Sequence, residues 1–240
     1  MRIVVAVLLL VLAVTGSGFA AVSQGFSDRD LIDGFMRTVF GSENFWISGA
    51  AKNRVSKFSG PVRVHITDYA NSHGSPDVRR FIADINRRVP RLSISTTRSQ
   101  SSANYEVYLV RRADYKDFIR ETLPNVRTAF LERAACSGIA FLKPDGAISR
   151  AMAFVVADEG KYMFHHCMVE EILQGLGPSN DSPRLVHSIF NDRATTDQFT
   201  PFDRYILNML YDPRVQPGMT RQQVMKVLPE VLKDLKKHGV

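Results

Sequence analysis

The sequence predicts an α+β fold in which a twisted mixed sheet is backed by helix, with α/β layering as the neighbouring alternative. Three observations lead there. Hydrophobic residues make up 45% of the chain, enough to fill one core at this length. Segments alternating with a period of two come early, interleave with a helix, and then give way to segments of helical period. No internal repeat or low-complexity stretch interrupts that order.

The first element is an export signal by pattern. Arg2 precedes an apolar run from Ile3 to Val14, and small residues lead to a predicted cut after Ala20. The run is shorter than the roughly 20 residues that a membrane span needs. The expected location is therefore periplasmic or secreted, with no stable membrane span once the signal is removed. Next, Leu31, Ile32, Phe35, Met36, Val39 and Phe40 recur at helical spacing after Ser27 and Asp28, either of which can cap. This amphipathic stripe packs on the main domain or meets a partner.

After a loop containing Trp46, Pro61 to Ile66 alternates Val62, Val64 and Ile66 with Arg63 and His65, as a half-buried strand does. Ser75-Pro76-Asp77 starts a helix whose buried stripe is Val78, Phe81, Ile82, Ile85 and Val89, and Pro90 ends it. Leu92 to Thr97 and Tyr105 to Val110 read as strands joined by a polar loop, and Ala113 to Leu123 reads as a helix. Gly138 to Leu142 and Ala151 to Val156 flank Lys143-Pro144-Asp145-Gly146, a turn tetrad that makes a hairpin. A helix carrying His165, His166 and Cys167 follows, and Thr220 to Lys237 closes the chain with Thr220 and Gln223 placed for a capping box. The expected organisation is a signal at 1–20, a helix and linker at 21–58, a main domain at 59–219 and a terminal helix at 220–240.

The net charge of +7 falls by one when the signal is removed. Part of the excess sits on Arg79, Arg80, Arg87, Arg88 and Arg91, which form either the solvated face of a helix or an attraction for an acidic envelope surface. Nucleic acid is not an expected partner, because export removes it and no aromatic–basic interleaving appears. The two cysteines, Cys136 and Cys167, are expected to pair in an oxidising compartment.

At about 100° per residue, Met168, Val169, Ile172, Leu173 and Leu176 share one side of the last-but-one helix, while His166, Glu170, Gln174 and Gly177 share the other. That second stripe is either a solvated surface or part of a site. Other catalytic signatures are missing from the sequence: neither a Gly-x-Ser-x-Gly elbow nor a phosphate loop is present.

The run from Glu170 to Asn180 has the spacing of a metzincin helix, H-E-x-x-H followed by a glycine turn and a third ligand. Ser188-Ile189-Phe190 resembles the tight turn beneath such a site, with Phe190 where methionine stands. Phe199 to Asp203 followed by Leu210-Tyr211 resembles the closing helix of matrixin-like domains. More closely, His166-Cys167, Glu170-Glu171, Gln174, Leu176-Gly177, Asn180-Asp181, Ser188 to Asp192, Leu210 to Arg214 and Pro217 to Met219 resemble a bacterial exported family of unknown function, domain of unknown function 2927, grouped with zincin-like peptidases. The resemblance is specific from about Cys136 to Met219. It implies a zincin-like, metzincin-type sheet with a long backing helix and an active-site-type helix, and it brings no activity with it.

In that register Glu170, Gln174 and Asn180 stand at the ligand positions and Glu171 at the general base. Oxygen donors suit a hard cation better than zinc. His166, one turn before Glu170, offers an alternative ligand, with His165 or His187 reaching in. Glu170, Gln174, Asn180 and Asp181 are also able to satisfy one another as a hydrogen-bond network. Three readings follow: a pseudo-peptidase that binds a peptide, protein or envelope component with no cofactor; a hydrolase using Glu171 with zinc or a hard divalent cation; and a structural envelope assembly module.

Overall fold

The computed structural model describes residues 25–41, 53–124, 134–191, 193 and 195–239. The expected export signal and Trp46 lie outside the described residues. Among the described residues there are five strands and six helices: α1 (Asp28–Val39), β1 (Val62–Asp68), α2 (Ser75–Arg88), β2 (Ile94–Thr96), β3 (Tyr105–Val110), α3 (Arg112–Thr122), β4 (Ser137–Leu142), β5 (Ile148–Val156), α4 (Lys161–Gln174), α5 (Pro201–Leu210) and α6 (Arg221–Lys237). The fold is α+β, as expected, and each strand and helix expected among the described residues is present within a few residues of its expected bounds.

The sheet runs β2-β1-β3-β5-β4. β2, β1, β3 and β5 are parallel, and β4 alone is antiparallel, joined to β5 by the Lys143–Gly146 turn. Parallel neighbours need crossovers, and α2 and α3 are placed in the chain to supply them. The pleat then sorts the side chains. Tyr105, Val107 and Leu109 of β3 and Ala151, Ala153 and Val155 of β5 join the main core with α2 and α4. Tyr108, Val110, Met152, Phe154 and Val156 point the other way and pack with Tyr115 and Ile119 of α3. β3 is buried along its whole length because helices cover both faces.

α1, α5 and α6 pack against one another beside this sheet. Leu31 and Phe35 of α1 and Leu228 and Leu232 of α6 belong to the same core cluster as the strands, so no boundary in packing separates the terminal helices from the centre. Capping boxes start α5 at Thr200 with Asp203 and α6 at Thr220 with Gln223. The basic run on and just after α2 is largely paired: Arg80 meets Asp77, Arg87 and Arg88 meet Asp84, and Arg91, beyond the helix, reaches Asp212. None of the helices among the described residues is long and apolar enough to cross a membrane.

Candidate functional site

The site is built on α4, which starts at Gly160 and crosses the sheet against β5 and β4. From Cys167 to Gln174 every residue is buried, so this stretch has no solvated face. Glu170, Glu171 and Gln174 are 8%, 5% and 7% exposed. The stripe read as surface or site is thus interior, and carboxylates in an interior persist only with polar partners.

The partners are specific. His166 Nε2 lies 3.2 Å from Glu170 Oε2, and His166 Nδ1 lies 2.8 Å from the Thr196 carbonyl oxygen, while the Tyr162 ring stacks on the imidazole. The Glu170 hydrogen bond, aided by the Thr196 carbonyl and opposed by burial, raises the His166 pKa above its ordinary value. Gln174 Nε2 donates to Asp181 Oδ1 at 3.2 Å. Asn180 turns toward α1: its Nδ2 donates to the Arg37 carbonyl at 2.8 Å and to the Asp181 carbonyl at 3.1 Å. The network expected among Glu170, Gln174, Asn180 and Asp181 therefore forms in two pieces. Gln174, Asn180 and Asp181 make one, and Glu170 pairs with His166 instead.

Glu171 faces β4. Gly138 allows the strand backbone to run close, since a Cβ there would stand 2.8 Å from the Glu171 carbonyl oxygen and 3.0 Å from its carboxylate. The Tyr105 hydroxyl donates to the carbonyls of Glu171 and Ile172 at 3.0 and 2.9 Å. Burial, and then the Glu171 charge, hold the Tyr105 phenol well above its usual pKa. Cys136 and Cys167 form the expected disulfide, tying β4's entry to the middle of α4. Cys136 Sγ and carboxylate oxygens of Glu170 and Glu171 all lie within 4.8 Å of one another. With the sulfur committed to the disulfide, two carboxylates remain there, fewer than the three protein ligands of a usual catalytic zinc.

The chain after α4 turns at Gly177, whose φ of 133° places hydrogen where a Cβ would meet the Ser56 carbonyl oxygen at 2.4 Å. The Tyr211 hydroxyl ties this turn down by donating to the Leu176 carbonyl at 2.8 Å. The Ser188-Ile189-Phe190 segment is fully buried, held by Asp203, which accepts from Ser188 Oγ at 2.5 Å and from the Ile189 N–H at 3.1 Å. Burial raises the Asp203 pKa to about 6 against the opposing pull of these bonds and those from Thr200. His165 sits 3.8 Å from Asp197, and His187 meets the Phe26 ring; neither is placed with Glu170.

A family described as a protein of unknown function (DUF2927) matches residues 28–230. The chain belongs to this family. The DUF2927 match begins at the first residue of α1 and ends inside α6, so it takes in the terminal helices as well as every site residue on α4. No curated protein matches the chain.

Within this DUF2927 chain, sequence reasoning foresaw the disulfide pair and singled out Glu170, Glu171, Gln174, Asn180 and His166, of which Glu170 meets His166, Gln174 meets Asp181 and Asn180 turns to α1. It missed Thr196, whose carbonyl orients His166 from thirty residues away. A backbone carbonyl leaves no side-chain signal. It also missed Lys57, a buried lysine in a segment of no clear period, although a lysine between Val55 and Phe58 is itself a departure worth noticing.

Proposed function

We propose that the protein is an exported, zincin-like pseudo-peptidase that binds a peptide or envelope component without cutting it. The observation that carries this reading is the environment of His166. Both ring nitrogens face atoms that only accept hydrogen bonds, the Thr196 carbonyl and the Glu170 carboxylate. The imidazolium, with a proton on each nitrogen, satisfies both. A metal-bound imidazole must offer a nitrogen without a proton. Glu170 is occupied by the same contact, Gln174 is turned to Asp181, and Asn180 donates to α1.

Glu171 keeps the place of a general base, but without a bound metal it has no water of lowered pKa to deprotonate. The mixed sheet, the long helix α2 behind it, the hairpin and then α4 follow the order that the zincin resemblance implies. The scaffold thus supports a cleft function, and the side chains support one without hydrolysis. The apolar N-terminal run with small residues before Ala20 supports export.

The decisive experiment is elemental analysis of protein purified from its natural compartment and dialysed against metal-free buffer, beside a peptide-library assay. The expected result is no stoichiometric metal and equal background cleavage by wild type and Glu171→Ala. One zinc per chain, with cleavage lost in a folded Glu171→Ala variant, would overturn the proposal in favour of a hydrolase.

A further inference from the structure

A cavity of about 350 Å³ opens at the amino ends of β1 and β2, and of its lining residues Tyr211 alone also touches the turn after α4, through its hydroxyl. Its walls come from three stretches of chain, 57–61, 91–93 and 211–217. Phe58, Tyr211 and Pro61 give it apolar sides, while Lys57 and Arg91 bring two cations to it. The size is at the small end for a ligand pocket.

Lys57 is buried, yet its ammonium is only partly satisfied. Two of its three hydrogens go to the Leu210 and Asp212 carbonyls, at 2.9 and 3.2 Å. Arg91 spends Nη1 on Asp212, and among the described residues its remaining donors meet no acceptor. Asp212 is shared three ways, pairing with Arg91, bonding Arg214 through both carboxylate oxygens and acting on Lys57, and Asp234 offsets Arg214 alone, so positive charge stays in excess there. The third hydrogen of Lys57, whose ammonium lies 5.6 Å over the Tyr211 ring, and the open edge of the Arg91 guanidinium therefore remain as donors at a concave, partly apolar surface. Such a set matches an oxyanion with a hydrocarbon body.

We propose that this cavity is a binding site for a small organic carboxylate, with Lys57 and Arg91 holding the carboxyl group and Phe58 and Tyr211 contacting the apolar part. Two sources share that chemistry, the C-terminus of a short peptide and a short aliphatic acid. The site is separate from α4, so it stands whether or not the pseudo-peptidase reading does.

Burial lowers the Lys57 pKa to about 8, with the nearby Asp212 charge opposing. The other groups around it do not titrate near that value. The Tyr211 phenol is raised by burial, Asp212 is held below its usual range once the Arg214 bonds outweigh burial, and Arg214 is raised by its bonds to Asp212 and Asp234. Affinity for a carboxylate should consequently fall as pH rises from 7 to 9.

The test is calorimetric titration of the full chain with acetyl-trialanine, its C-terminal amide, and hexanoate. Binding of either acid, at least about tenfold weaker binding of the amide, and about a tenfold loss in a folded Arg91→Gln variant are expected. Whichever acid binds more tightly identifies the source. Lys57→Met should abolish binding, and if it does not fold, the loss of affinity in wild type between pH 7 and 9 reports the same group. No binding of either acid, or equal binding of acid and amide, would overturn the proposal, as would affinity unchanged by both Arg91→Gln and pH.

Discussion

His166 and Asp203 show how burial and partners set the charge of single groups. The His166 pKa is raised in the folded chain, chiefly by Glu170, above the ordinary value near 6.5. The stability it contributes is complete below that ordinary value and is lost as pH rises through the folded one. Glu170→Gln should bring the His166 titration, followed by ring-proton NMR, down in pH and flatten stability above neutrality; an unchanged titration would show that Glu170 does not hold the proton. Asp203 is also raised, from 3.8 to about 6. The native state therefore keeps this proton longer than the unfolded chain, and the corresponding stability fades as pH climbs from about 4 to about 6. Asp203→Asn should remove that slope in denaturant titrations and, by weakening the bonds from Ser188, Ile189 and Thr200, cost about 2 kcal/mol or more at neutral pH. The positions of the site residues were legible because a helix register fixes which residues share a side. Their partners were not, since Thr196 and Arg37 contribute backbone carbonyls that any residue type supplies.

α6 carries Pro229 in its interior at an exposed position. Proline removes one helical hydrogen bond and crowds the preceding turn, yet the helix continues because Val224, Leu228, Val231 and Leu232 are buried on its other side. Pro229→Ala should therefore stabilise the protein by about 1 to 3 kcal/mol in urea unfolding; a loss of stability would mean the ring makes a contact of its own. The disulfide joins two elements 31 residues apart, and chain entropy assigns such a closure roughly 3 to 4 kcal/mol. Cys136→Ser with Cys167→Ser should lower unfolding stability by that amount, and a double variant as stable as wild type would contradict it. Elements were the most legible level of the sequence. The alternation in Val62 to Ile66 and the turn at Lys143 to Gly146 are local signals, and local signals survive into the fold. The interior position of α4 was hidden, because Glu170, Glu171 and Gln174 look like solvent residues until His166 on the same helix, β4 and the chain after Gly177 come against them.

Across the molecule, one continuous core links α1, the sheet and α6. Unfolding should be a single calorimetric transition, and removal of residues 221–240 should abolish folding, because it strips Val224, Leu228 and Leu232 from that core. A truncated chain that melts cooperatively would show instead that α6 is an accessory. The stripe from Leu31 to Phe40 announced a packed face, while the surface that covers it, α5 and α6, lay too far along the chain to be read from the stripe itself. The tie between β4 and α4 also sets a rate. Cys167 is fully buried, and Cys136 has two carboxylates for neighbours. A thiolate that attacks Cys136 and expels Cys167 must approach the Glu170 and Glu171 carboxylates, whereas attack at the buried Cys167 would expel Cys136 as an anion beside those carboxylates, a poor leaving group. Small thiols should accordingly cleave this bond slowly while the protein is folded, and glutathione should lag behind a neutral phosphine reductant, so that the cross-link outlasts brief reducing episodes by kinetics rather than by equilibrium.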